Sequence, residues 1–164
     1  MHKMGGVSLH LTPDVVAALD GAVLGWLATA DEHGLPNVSP KEVFAHLRGD
    51  RVVIAHIASP RSARNARANP QGCFSVVDVF RQRGFKLTGA LHLHGPDDGR
   101  FDEVAAPLRP VVGDRFHLRG VFELTVAAVA PIVAPSYVFH ADEVTEESMV
   151  RSAMATYGVR PTSS

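Results

Sequence analysis

Three strand-like segments follow one another in the first sixty residues with only tight turns between them. Parallel strands need a crossover of a dozen or more residues, so this spacing argues against a doubly wound parallel sheet. Residues 23–29 read as a buried strand, 37–47 as a second and 51–57 as a third rich in β-branched side chains. Asp31-Glu32-His33-Gly34 and Arg48-Gly49-Asp50 are the turn clusters that join them. The pattern predicts an antiparallel meander.

Further strands are expected at residues 72–79, at 85–94 with alternation at Leu87, Gly89, Leu91 and Leu93, and at 118–129. A shorter extended piece is expected at 132–140 after Pro131. In the second strand Val38, Val43 and Leu47 read as core positions, and Pro40 marks a bulge or a sheet edge. Trp26 and Cys73 also read as core residues. Tyr137, Phe139 and His140 follow the last strand and read as packing groups. Helices are expected at the start, where Thr12 and Pro13 precede an apolar stripe ended by Gly21, and at 59–69. One or two helical turns fit 101–106, and a last helix fits 146–157, with Thr145 as N-cap and Gly158 as stop. Strands outnumber helices, so the fold class is mainly β, a closed or nearly closed barrel with helical decoration.

At 164 residues the chain is expected to form one domain, with a core over about residues 12–140 and a C-terminal helix near 145–157. Lys plus Arg (16) nearly balances Asp plus Glu (17), which argues against a general nucleic-acid binder. One cysteine excludes an internal disulfide framework and suits a reducing compartment. No apolar run approaches the roughly 20 residues of a membrane span. Met1 to Gly6 lack a secretory apolar stretch, so a cytoplasmic, non-membrane protein is expected.

The densest chemistry lies in Ser59-Pro60-Arg61-Ser62-Ala63-Arg64-Asn65. Ser59-Pro60 opens a helix, and Arg61, Ser62 and Arg64 fall in its first turn. A helix start carries free N–H groups and partial positive charge, so a phosphate fits there, with arginine forks and a hydroxyl to hold it. The alternative is a serine-capped surface helix with solvated arginines. A lone lysine within a strand, such as Lys41, ordinarily faces solvent. Arg81, Arg83 and Lys86 form either a solvated hairpin end or a further source of positive charge. Three basic clusters at strand ends in a neutral chain favour a bound phosphate. His92 and His94 share one face of a strand. They lack a third ligand at a telling spacing, so no metal is expected there. No GxSxG elbow, P-loop or GxGxxG occurs, which removes support for serine hydrolases, nucleotide hydrolases and Rossmann dehydrogenases.

Three segments in register carry a resemblance: residues 27–41, residues 59–70 and residues 83–89. With them the chain resembles the FMN-binding split-barrel proteins related to pyridoxamine 5′-phosphate oxidase, over about residues 12–130. The resemblance implies a Greek-key split barrel that forms a homodimer with FMN in clefts between subunits. It implies that Val38, Ser39, Pro40 and Lys41 lie along the flavin and that Ile54, Ala55 and His56 approach it from the next strand. Arg61 and Ser62, with Arg64 and Asn65 nearby, correspond to the phosphate-binding helix start, and Lys86 to a position that reaches FMN, sometimes from the other subunit. Asn37-Val38-Ser39-Pro40 precedes Lys41 where the vitamin-phosphate oxidase carries arginine and leucines, and that enzyme's C-terminal substrate segment has no match. The expected function is therefore an FMN-dependent oxidoreductase acting on an unidentified small molecule or electron donor, with no assigned catalytic residue. The alternatives are a flavin-binding or sensor protein without turnover, or a split barrel using haem or a deazaflavin.

Overall fold

A computed structural model describes residues 11–162; residues 1–6, read above for a secretory signal, lie outside it. Seven strands form one antiparallel sheet: β1 (Gly25–Ala30), β2 (Pro36–Lys41), β3 (Phe44–His46), β4 (Arg51–His56), β5 (Gln71–Asp78), β6 (Arg83–His94) and β7 (Gly120–Val133). Their order is β2-β1-β5-β6-β7-β4-β3. The two ends of that order, β2 and β3, are joined through only Glu42 and Val43. Laid flat, seven strands at about 4.8 Å spacing would separate their outer members by about 29 Å. The three Cα steps from Lys41 to Phe44 reach about 11 Å at most. The sheet must therefore curl until its edges meet, and the result is the mainly β split barrel expected from the sequence.

This corner also explains a correction. The single strand expected at 37–47 is two strands on opposite edges, because the chain leaves β2 at Lys41 and starts β3 at Phe44. Pro40 does lie on an edge strand, where its missing N–H costs no ladder bond. At the other end, Pro131 does not interrupt β7, and the extended piece expected at 132–140 is instead the end of β7 followed by a helical turn, α5 (Ser136–Phe139).

The remaining helices are α1 (Pro13–Gly21), α2 (Pro60–Ala68), α3 (Phe101–Ala105), α4 (Arg109–Val112) and α6 (Glu146–Tyr157). α6 is capped as the sequence suggests, with Thr145 Oγ1 accepting from the Ser148 N–H and Gly158 in the left-handed region at φ 66°. α4 and the 3-10 turn Gly113–Arg115 after it were not expected.

The barrel interior holds Leu27, Ile54, Phe74, Leu87, Leu91, Phe122 and Leu124, closed by Val15 and Leu19 of α1 and by Ala63 and Ala66 of α2. A second apolar core lies outside the barrel, where Val53, Ala55 and Val121 pack under Val104, Leu108 and Val112. β6 changes register against β7 between Thr88 and Gly89. A side chain at Gly89 would collide with the Thr125 carbonyl, so this bulge requires glycine.

The outer face of β1 and β2 overturns three core assignments. Trp26 is 43% exposed and Val38 56% exposed, while Cys73 is half-buried on the same face. Strand alternation sends Leu27 and Phe74 inward, so their neighbours must point out. Val43 and Leu47 are partly buried against the second core. Among the described residues no helix is long and apolar enough to cross a membrane.

Candidate functional site

Where the barrel edges meet, a cleft of about 660 Å³ opens between the β2–β3 corner, the end of β4 and the start of α2. That size suits a small molecule or cofactor. Ser39, Pro40, Lys41, Ala55 and Ser59 line it, with Val43, Ile57, Val111 and Phe116 among its apolar walls.

Lys41 faces inward, only 6% exposed, which corrects the solvent-facing expectation from strand position alone. Its Nζ donates to Ser59 Oγ at 2.6 Å and to the Ala55 carbonyl at 3.2 Å, and lies 5.1 Å from the centre of the Phe122 ring. All three partners are neutral. Burial without a countercharge pushes the ammonium down to about 8. His56 Nδ1 lies 3.1 Å from the same Ser59 Oγ. An ammonium can only donate, so Ser59 accepts from Lys41 and its own proton is free for His56 Nδ1. Burial lowers the His56 pKa, and the charges of Lys41, Arg119 and Arg67 lower it further, consistent with a neutral, accepting imidazole.

Because Ser59 Oγ is turned toward Lys41 and His56, it makes no cap bond to α2. Pro60 has no N–H to lose, and the first-turn N–H groups behind it carry no side-chain cap. Arg61 and Arg64 are exposed on this helix, and the Arg61 charge is felt by Asp31 in the β1–β2 turn. Ser62 and Asn65 are buried instead. Ser62 Oγ meets Ser39 Oγ at 2.7 Å and accepts from Asn37 Nδ2 at 3.2 Å, while Asn65 Nδ2 donates to Thr29 Oγ1 at 3.0 Å. These bonds fasten α2 to β1 and β2 and fix where its N-terminus points.

The residues singled out by sequence thus divide. Ser39, Pro40, Lys41 and Ala55 line the cleft, His56 touches it through Ser59, and Ser62 and Asn65 dock the helix. The Ile54 side chain is wholly inside the barrel. Val38 and Lys86 lie on the outer sheet face, where β1 links Val38 to Cys73 and β5 links Trp26 to Lys86 through Ser75. Ser59, read only as a helix opener, is the residue the sequence undervalued. The serine–proline pair was a visible signal for a helix start, but not for a hydroxyl turned away from it.

A second polar cluster lies on the opposite side of β4 and β7. Glu123 is buried and accepts from Arg51, Arg100 and His94, the last at 2.7 Å through Nε2. Burial alone would raise the Glu123 pKa, but the His94 bond and the two arginines hold it below the usual range.

The pyridoxamine 5′-phosphate oxidase family profile matches residues 11–132. No curated protein matches the chain. Solved structures share its fold. An FMN-binding protein from Syntrophomonas wolfei is 15% identical with a TM-score of 0.63, covering 74% of this chain and 85% of its own. HutZ, the haem storage protein from Vibrio cholerae, is 19% identical with a TM-score of 0.60, covering 76% and 95%. HupZ from Group A Streptococcus is 17% identical with a TM-score of 0.62, covering 73% and 91%. With the profile spanning most of the barrel and the fold shared, the chain belongs to the pyridoxamine 5′-phosphate oxidase family of split barrels.

Proposed function

We propose that the cleft binds FMN and that the protein is an FMN-dependent oxidoreductase acting on a small molecule. The observation that carries this reading is the buried, uncompensated Lys41 ammonium on the floor of a cleft that ends at an uncapped, arginine-bearing helix start. Both features call for an anion, and the apolar walls of the cleft suit an apolar ring system. FMN is one molecule with both. FMN, when bound, supplies the electron and hydride chemistry.

The chain's own residues have defined tasks. The first-turn N–H groups of α2 and the Arg61 guanidinium bind the phosphate. Lys41 holds positive charge against the ring side of the cleft and keeps its proton near neutral pH. Ser59 and His56 fix the Lys41 Nζ direction. Val43, Ile57, Val111 and Phe116 exclude water.

The same reading includes a homodimer. Trp26, Pro36, Val38 and Pro40 form an exposed apolar strip on the outer face of β1 and β2, and Lys86 shares that face. Pairing through it would carry Lys86 toward the partner's cofactor. A Val38→Glu variant is expected to be monomeric by light scattering.

HutZ is a haem storage protein, which makes haem the natural competitor. Among the described residues that line the cleft none is a histidine, cysteine, methionine or tyrosine, and His56 stands behind Ser59, which supports the flavin over haem. The deciding experiment is a visible spectrum of the purified protein, followed by denaturation and identification of the released chromophore. Released FMN together with reduction by a nicotinamide donor supports an oxidoreductase, and FMN without turnover across a donor panel supports a binding protein. A Soret band, a released deazaflavin, or failure to bind added FMN would defeat the reading.

A further inference from the structure

We propose that His92, His94 and Asp98 form a site for a borderline divalent cation of the zinc class, on the outer face of the barrel and separate from the cleft. One ligand atom from each residue lies within 4.8 Å of the other two. Asp98 Oδ2 is 3.0 Å from His94 Nδ1 and 3.7 Å from His92 Nε2. Zinc bonds of about 2.0–2.1 Å put tetrahedral ligand atoms about 3.3–3.4 Å apart, so the two measured edges bracket that value. The third ligand comes from a turn: the Asp98 N–H bonds back to the Gly95 carbonyl, which brings residue 98 over the strand end.

The surroundings supply what a bare cluster lacks. A metal-ligating histidine ordinarily donates its other ring N–H to a carboxylate, which fixes the tautomer. His94 already does so, through Nε2 to Glu123 at 2.7 Å. Glu123 is in turn held by Arg51 and Arg100, so its charge is balanced without the metal. Asp98 Oδ1 accepts the Arg100 N–H at 2.8 Å, which leaves Oδ2 turned toward the two imidazoles. His92 is exposed, and its 3.7 Å approach to Asp98 is too long for a hydrogen bond. The fold gains little from that ring, whereas a cation would use it. A metal takes the His94 Nδ1 lone pair, so binding requires that nitrogen without a proton. Three protein ligands leave the fourth position open on the solvent side, for water or for a ligand brought to the site.

The test is calorimetric titration of tag-free protein with zinc sulfate in a non-chelating buffer, repeated with cobalt chloride to read the visible bands of a tetrahedral ion. One equivalent per chain is expected, with tetrahedral cobalt bands. His92→Ala and Asp98→Asn, both at solvent-accessible positions, should each weaken zinc at least tenfold while the metal-free melting temperature changes little. His140→Ala, remote in sequence from the cluster, should leave binding unchanged. Absence of a saturable one-equivalent event in the wild type overturns the site. So does binding that survives both His92→Ala and Asp98→Asn.

Discussion

Two buried polar clusters lie on either side of β4 and β7, and they resolve buried charge in opposite ways. Around Glu123, negative charge meets Arg51 and Arg100 and accepts a hydrogen bond from His94. Around Lys41 the partners are a hydroxyl, a carbonyl and an aromatic face, none of them charged. The first arrangement is complete within the chain. The second leaves a buried cation whose desolvation is offset only when an anion arrives. A protein tolerates such a residue where a ligand uses it, and this contrast is what supports the proposed anionic ligand in the cleft.

The comparison can be broken most forcefully on the compensated side. Glu123→Ala leaves Arg51, Arg100 and His94 facing one another and is expected to cost about 3–5 kcal/mol, read by urea unfolding. Next comes the ligand side. Arg61→Ala should weaken FMN at least tenfold in a fluorescence titration, about 1.4 kcal/mol, with little change in the unliganded melting temperature. Lys41→Met should behave in reverse to Glu123→Ala: removing an uncompensated charge should raise the unliganded Tm at pH 7 by about 2–4 °C, roughly 1 kcal/mol, while weakening FMN binding.

The smallest effects sharpen the contrast through pH. The Lys41 ammonium is held down to about 8 in the folded chain against 10.5 unfolded, so between those values the unfolded chain binds more protons and stability rises with pH. Lys41→Met should flatten that rise in denaturation curves. Glu123 is lowered from 4.5, so its contribution is full above that value and is lost as pH falls through the folded pKa. Glu123→Gln should blunt that acid loss and leave the alkaline limb intact.

Much of this was legible in the residues. The strand succession argued against a parallel sheet, and the serine–proline pair marked where α2 begins. Other features were not legible for physical reasons. Trp26 and Val38 read as core because hydrophobicity does not say which sheet face is covered. Lys41 read as solvated because a strand's period assigns a side but not what covers that side. Asp98 was invisible as a third partner for His92 and His94, since only the turn after β6 folds it back onto the strand. Ser59 shows the same limit: its residue type suits a helix cap, and only the neighbouring lysine and histidine redirect it.

The Glu42–Val43 corner has a consequence for how the chain folds. Hairpins β1–β2 and β3–β4 pair through short loops, and the corner ties their outer strands together from the outset, but the sheet between β1 and β4 closes only when the distant β5, β6 and β7 pair. The Val43 carbonyl accepting the Ala55 N–H at 2.9 Å continues the β3–β4 ladder, and Lys41 reaches from the end of β2 to Ser59 beside it. The cleft is thus assembled at the closing step rather than carried on any one hairpin. A ligand seated there acts as a latch on the seam, and amide exchange at Ala55 should slow when it binds.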